Sequence, residues 1–420
     1  MRSDAEKNEL FDWWLTALDP KHQELQAKAN VLQAEEATIR GRGTIAHVMR
    51  EKGEGAMAFV LYRGEYDKRR DQVKPSTPAV LPAWSEDQPR NRLGLASWLL
   101  RPEHPLTARV TVNRFWQELF GRGLVRTSED FGISGELPSN QELLDWLAIE
   151  FRDGSPNLVS EFDLAKNPQR TWDIKRFYKL LVTSATYRQA ALTTKEKLER
   201  DPQNKLLSRG PRFRMDAEMI RDYALASSGL LVPKLGGPSV KPYQPEGVWE
   251  AVAMIGSNTR DYKRDTGESL YRRSLYTFIK RSAPPASMEI FNATAREQCT
   301  VRRERTNTPL QALVTLNDPQ FIEAARHLAQ TVLKSGGTTE QQLDQLSKRL
   351  LARPFRPSEL PVVQSSLADL TAYYRDHEAD ATALITTGES KPDTTLDPKT
   401  LAAWTMLANE VMNLDEVLNK

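Results

Sequence analysis

A mainly α fold, multi-helical with one small β-sheet, is predicted by three observations on this 420-residue chain. Apolar residues recur at helical spacing through most of the sequence. Thr308-Pro309 and Asp318-Pro319 each place a capping side chain before a proline at the first helical position, so two helices follow one another across a sharp break. Only two isolated runs read as strands. Met57 to Tyr62 is brief, contains Val and Tyr and stops at a glycine, and Ser274 to Ile279 alternates, so each is the other's natural partner.

Taken in order, Asp19 to about Arg40 sets Leu25, Ala29, Leu32 and Ile39 on one face, with Glu36 the one polar interruption, and reads as an arm of a helical hairpin. The stretch from Lys74 to Pro89 carries Pro75, Pro78, Pro82 and Pro89 and reads as an extended linker. Asn91 caps a helix through Leu100, and Pro105 opens another that Gly121 and Gly123 close. Ser139 and Glu142 form a capping-box pattern ahead of Leu143, Leu144, Trp146 and Leu147. Trp172 to Thr183 presents Ile174, Phe177 and Leu181 on one face. A longer helix starts near Met215 and is closed by the turn at Gly236-Gly237-Pro238.

After the pair of proline-initiated helices, the second of which ends at Gly336-Gly337, helices are expected over Leu343 to Leu351, Ser358 to Tyr374 and Asp397 to Met412. Thr386 to Asp397, rich in Thr, Gly, Ser and Pro, reads as an exposed loop. Two parts result: residues 1–90, a helical segment, short strand and proline-rich linker, and residues 91–420, a helical domain.

Global charge is close to balance, with 58 basic and 56 acidic residues, so no broad basic face and no nucleic acid partner is expected. No apolar run approaches the roughly 20 residues that span a bilayer, and the opening MRSDAEKNELFDWW lacks the apolar core of a signal peptide. The single cysteine, Cys299, excludes an intrachain disulfide and the paired-cysteine haem attachment motif. The five histidines, His22, His47, His104, His327 and His377, fall in no metal-ligand spacing, so neither zinc nor covalent haem is expected in this chain.

Positive charge is nevertheless gathered locally. Between Arg272 and Arg305 eight Lys or Arg stand against three Glu, a local excess of +5. Arg296, Arg302, Arg303 and Arg305, followed by Asn307 and Thr308, form the main candidate for an anion-binding surface. Guanidinium groups bind carboxylate or sulfate bidentately, and the helix start at Thr308-Pro309 adds amide donors. The competing reading pairs Arg302, Arg303 and Arg305 with Glu297, Glu304 and Asp318. Cys299 is read as a small buried residue in preference to a reactive thiol. Asp130, Glu136, Asp145, Glu218 and Asp222 supply carboxylates for a glycosidase-type pair, against which stands pairing with Arg221 beside Asp222, or with Arg114 where the fold brings it to Asp130. Arg114, Asp130, Arg221, Asp222, Cys299 and Asp318 are therefore the secondary candidates.

Several long motifs occur in one order: LASWLLRPEHPLTARVTVNRFWQELFGRGLVRTSEDFG, LLDWLAIEF, LLVTSATYRQ, GPRFRMDAEMIRD, SGLLVPKLGGPSVKPYQPEGVW, YRRSLYTFIKRSAPP and CTVRRERTNTPLQALVTLNDPQF. From about Asn91 to the C-terminus the chain resembles the planctomycete-type PSD domain of unknown function, the DUF fifteen-fifty-three family. YRGEYDKRRDQVKPSTPAVLP looks like the linker that joins this domain to an upstream companion. The resemblance implies a C-terminal position in larger exported proteins, periplasmic or extracytoplasmic, whose upstream parts include that companion and often a cytochrome c domain. Haem would then sit only in a fused or partner cytochrome domain.

The chain departs from the family pattern at Asn140 and Tyr178, where histidine is common, and at Asn292, where the family often has Asp. An amide relays no proton and is a weaker metal ligand than imidazole or carboxylate, so a mechanism needing those groups is put in doubt. Two functions stand at this point. One is a binding or scaffold module of an exported, cytochrome-linked system acting on anionic polymers such as polysaccharides; the other is a glycan-active enzyme using carboxylates and arginines.

Overall fold

Side-chain capping of backbone amides sets where most helices of this protein begin. The computed structural model describes residues 2–42, 46–50, 57–154 and 171–419. The chain divides into two compact units, Met1–Arg101 and Pro102–Lys420.

In the first unit, Ser3 and Glu6 form a reciprocal capping box at the start of α1 (Asp4–Leu18). Helix α2 (Pro20–Arg42) follows directly. The small sheet is a local antiparallel hairpin of β1 (Ala58–Leu61) and β2 (Arg69–Val73), in register Ala58 to Val73 and Phe59 to Gln72. Its strands are thus neighbours in sequence, and the expected pairing of Met57–Tyr62 with Ser274–Ile279 does not form. Residues Ser274–Tyr276 instead make a short 3-10 turn, because Asp222 accepts from the Ser274 amide at 2.7 Å and Arg221 donates to its hydroxyl at 3.2 Å. Thr277 then makes an isolated bridge with Val240.

The proline-rich stretch is fastened to α3 (Arg92–Leu99). The Trp98 indole donates to the Pro82 carbonyl at 2.8 Å, and Arg101 donates to that of Ala83 at 3.1 Å. Asn91 caps α3 as the sequence indicates, accepting from the Gly94 amide at 3.0 Å. Gly94 itself is required there, since a Cβ would lie 1.9 Å from the Pro89 carbonyl oxygen.

The second unit holds two apolar cores. The smaller joins α4 (Thr107–Phe120), α5 (Gln141–Asp153) and α6 (Ile174–Thr183) through Val112, Trp116, Leu144, Leu147, Phe151, Phe177 and Leu181. Helix α4 starts at Thr107 and not at Pro105; its N-cap, Leu106, offers no capping side chain, and the His104 imidazole accepts from the Thr107 amide at 3.3 Å. Likewise α5 is capped by Asn140, which accepts from the Leu143 amide at 2.9 Å, so the box expected on Ser139 is displaced by one residue.

A short helix α7 (Lys195–Arg200) leads to α8 (Ala217–Ser228), which ends at Gly229 in the left-handed region, well before Gly236-Gly237. Two one-turn helices follow, α9 (Val248–Val252) and α10 (Ala286–Ile290). The two proline-initiated helices form as read from sequence, α11 (Pro309–Asn317) behind a Thr308 capping box and α12 (Pro319–Lys334) behind Asp318.

Helices α13 (Thr339–Leu351), α14 (Leu360–Asp376), α15 (Glu378–Ile385), α16 (Pro398–Met412) and α17 (Asp415–Leu418) complete the larger core. At its centre α12 and α16 pack through fully buried alanines, Ala324, Ala325 and Ala329 on one helix and Ala402 and Ala403 on the other. Small side chains let two helix axes approach closely.

Helix α12 also buries Glu323 and Arg326. Glu323 accepts from the hydroxyls of Tyr243 and Tyr271 at 2.8 Å, and from the Ser390 amide and hydroxyl at 2.6 Å. Burial, reinforced by Glu323, pushes both tyrosines far above their ordinary range. Arg326 donates to the Ser390 carbonyl at 2.7 Å and to Gln330 at 3.1 Å. The loop 386–397, expected to be exposed, is thereby drawn against α12 and is half-buried around Ser390.

Candidate functional site

Asn292 begins the site. It occupies the left-handed region at φ 59°, a conformation an asparagine tolerates, and turns the chain out of α10. Its side-chain amide donates to the Glu304 carbonyl at 3.3 Å and the Thr306 hydroxyl at 2.8 Å, closing the loop from 292 to 306. An aspartate could not donate these bonds, so the departure at Asn292 has a structural role. Asn140 caps α5, and Tyr178 packs on Phe115 at 5.1 Å between ring centres.

From Val301 to Arg305 the chain forms a strap, bent at Val301 and Arg302, whose odd positions are half-buried and whose even positions are exposed. Arg303 donates two hydrogen bonds to Glu218 in the first turn of α8, the longer 3.1 Å. Burial alone would raise the Glu218 carboxyl; the Arg303 bond and charge override it and hold Glu218 below its usual range. Burial works against the charge on Arg303 too, and the bond to Glu218 nevertheless raises it. Arg305 donates to the Gly121 carbonyl at 2.8 Å and lies over the Phe213 ring at 4.2 Å. A cation at the C-terminus of α4 opposes the negative end of that helix.

The inner arginines of the cluster therefore face the protein itself and not an external anion. Their partners, Glu218 and Gly121, are also not the acids expected from sequence. Arg302 points outward, 3.6 Å from Glu129, with both side chains nearly half exposed. Arg296 is exposed, sits in the left-handed region at φ 61°, and has no ion pair among the described residues. Thr294, Arg296, Glu297, Gln298, Cys299, Thr300 and Arg303 line an open hollow of about 500 Å³. Cys299 is exposed there, against the expectation of a buried thiol, because the outward course of 295–300 leaves no apolar wall to cover it.

The helix start at Thr308 offers fewer donors than expected. Its amide donates to Gln311 at 3.4 Å, the Gln311 amide donates back to Thr308 at 3.4 Å, and Pro309 has no N–H. Asn307 accepts from Arg214, whose remaining buried nitrogens have no hydrogen-bond partner.

The other candidates are dispersed. Arg114 is exposed and makes no ion pair with Asp130, which folds back on the Gly132 amide at 2.7 Å. Arg221 is buried and donates to Gln320, Ser274 and the carbonyls of Leu270 and Arg272; burial pulls its pKa down to about 10. Asp222 lies 3.9 Å from it and takes the Ser274 amide. Asp318 caps α12, and burial raises its carboxyl. Glu136 pairs with Arg126, and Asp145 with Arg109 at 2.6 Å.

A second hollow, of about 650 Å³, gathers Arg212, Arg353, Arg356 and Glu416, a cluster the sequence reading missed because its members come from three distant segments. Arg353 bonds both Glu359 and Glu416 and pulls Glu359 down to about 2. Among the described residues, no group of three or more His, Cys, Asp or Glu could hold a metal ion, and no helix is long and apolar enough to cross a membrane.

Residues 91–367 match the model of the family PSD1, described as a protein of unknown function (DUF1553). No curated protein and no solved structure matches.

Proposed function

We propose that this chain, which belongs to the PSD1 family of proteins of unknown function, is a non-catalytic binding or scaffold module for anionic polymers such as polysaccharides. The supporting observation is the two-sided strap. Arg303 and Arg305 fix it to α8 and α4, which leaves Arg302 outward on the strap, while Arg296 is exposed at an open hollow beside it. Rigidly presented guanidinium groups lose little freedom when they meet sulfate or carboxylate. The module serves an exported, cytochrome-linked system in the periplasm or beyond it. It has no cofactor of its own, and haem belongs to a fused or partner cytochrome c domain.

A glycan-active enzyme needs two carboxylates free in one cleft. Glu136, Asp145, Glu218 and Asp222 are each held by arginine or by a backbone amide, which favours binding over catalysis. Chromatography on immobilised sulfated or uronic polysaccharide tests the reading. Retention should weaken as salt rises, and the double variant Arg296→Ala with Arg302→Ala should elute at clearly lower salt with unchanged thermal stability. Elution of the wild-type chain in the void at low salt, or release of shortened sugars from the polymer, overturns it.

A further inference from the structure

Helix α2 carries an apolar seam that nothing among the described residues of its own unit covers. His22, Leu25, Ala29, Leu32, Glu36 and Ile39 are spaced alternately by three and four residues, the repeat that keeps one stripe facing a partner helix. Leu25, Leu32 and Ile39 are 57%, 64% and 61% exposed, so α1 leaves the seam open. A helix of 23 residues gains little from its own hydrogen bonds in water and is stabilised mainly by packing such a stripe.

The charges flanking the seam select the partner and its direction. A parallel copy would set Glu36 against its own counterpart inside the interface. An antiparallel copy removes that repulsion: with Ala29 level with Leu32 of the second copy, Glu36 falls beside Leu25 and His22 beside Ile39. Its methylenes then cover the leucine while the carboxylate keeps its bond to Arg40 at 2.6 Å. In the same register Lys28 meets Glu35 of the second copy, twice by symmetry. Lys28 is exposed and bridges Glu24 on its own helix at 2.7 Å, a contact that is readily exchanged. The small Ala29 against the large Leu32 also gives alternating layers that interdigitate.

We propose that α2 pairs with α2 of a second copy of this chain as an antiparallel coiled coil, making the protein a dimer. Analytical ultracentrifugation of the full chain should show a reversible dimer. Leu32→Lys should give a monomer with unchanged melting of the larger unit. Lys28→Glu should weaken dimerisation about tenfold or more by setting acid against acid, and adding Glu35→Lys should restore it. Direction is read by oxidation in a Cys299→Ser background: an Ala29→Cys chain mixed with a Leu32→Cys chain should cross-link to each other. A wild-type chain that stays monomeric at high concentration overturns the proposal. So does a dimer indifferent to Leu32→Lys, or an Ala29→Cys chain that links efficiently to itself.

Discussion

The strap at 301–305 and the helix α12 both set arginine beside glutamate, and they stabilise those charges in different ways. On the strap, Arg303 and Glu218 are each about a quarter exposed, and one bidentate contact joins them. On α12, Glu323 and Arg326 are buried and stand 3.8 Å apart, so neither is the other's main partner. Glu323 is satisfied by two tyrosine hydroxyls and by Ser390, and the terminal nitrogens of Arg326 bond Ser390 and Gln330. Water supplements a single strong pair at the surface. In the interior, where an unmet lone pair is costly, the charge is shared among several neutral groups.

Removing the acid from each place is the most direct way to break this contrast. Glu323→Ala removes the carboxylate 3.8 Å from the buried Arg326 charge and strips an acceptor from Tyr243, Tyr271 and Ser390, a loss expected at roughly 3–5 kcal/mol. Glu323→Gln, which keeps an acceptor oxygen, should cost less. Urea unfolding measures both. A Glu323→Ala loss below about 1 kcal/mol would mean that water replaces the carboxylate and that α12 is not a dry interior.

The same contrast explains what was legible in the sequence. Caps are local, so Asn91, Thr308 and Asp318 were readable from their neighbours and form as expected. The direction of Arg303 was not, because its partner lies 85 residues away and only tertiary packing of α8 brings it near. For the same reason the strand partner of Met57–Tyr62 was misassigned. The true partner was a charged segment, RRDQV, with no apolar alternation to announce it. The exposure of Cys299 depended on the course of a loop that no periodicity describes. Glu323 and Arg326 left a trace, an i, i+3 charge pair within the apolar run FIEAARHLA, which in hindsight marks a buried network.

A smaller effect is expected at the strap, and it has a pH signature. Arg303→Ala should cost about 1–3 kcal/mol, the range of a hydrogen bond to a charged group. In the folded wild type Glu218 is held below its usual range by Arg303 acting against burial. A depressed carboxyl contributes stability that is full above its unfolded pKa and is lost as pH falls through the folded one. The wild type should therefore lose this increment on acidification below about pH 4.3, the ordinary glutamate value. In Arg303→Ala only a backbone hydrogen bond and the charge of Arg296 still oppose burial, so the depression should shrink and part of the difference between the two proteins should vanish at the acid end. Parallel stability curves from pH 7 to pH 3 would show that the contact contributes packing alone.

The smallest effect sharpens the distinction between anchoring and presenting arginines on one strap. Arg302 lies 3.6 Å from Glu129 with both side chains nearly half exposed, a geometry in which solvent screening cancels most of the attraction. Arg302→Ala should change stability by no more than about 0.5 kcal/mol, and so should Glu129→Ala. A double-mutant cycle on these two residues should return a coupling near zero, whereas the cycle on Arg303 and Glu218 should return a clear one. The two cycles together locate the boundary between the residues that hold the strap and those that face outward. If Arg302 and Glu129 couple as strongly as Arg303 and Glu218, the outer row is structural as well. Arg296 would then be left as the one arginine of the strap region able to meet a ligand without loosening the fold.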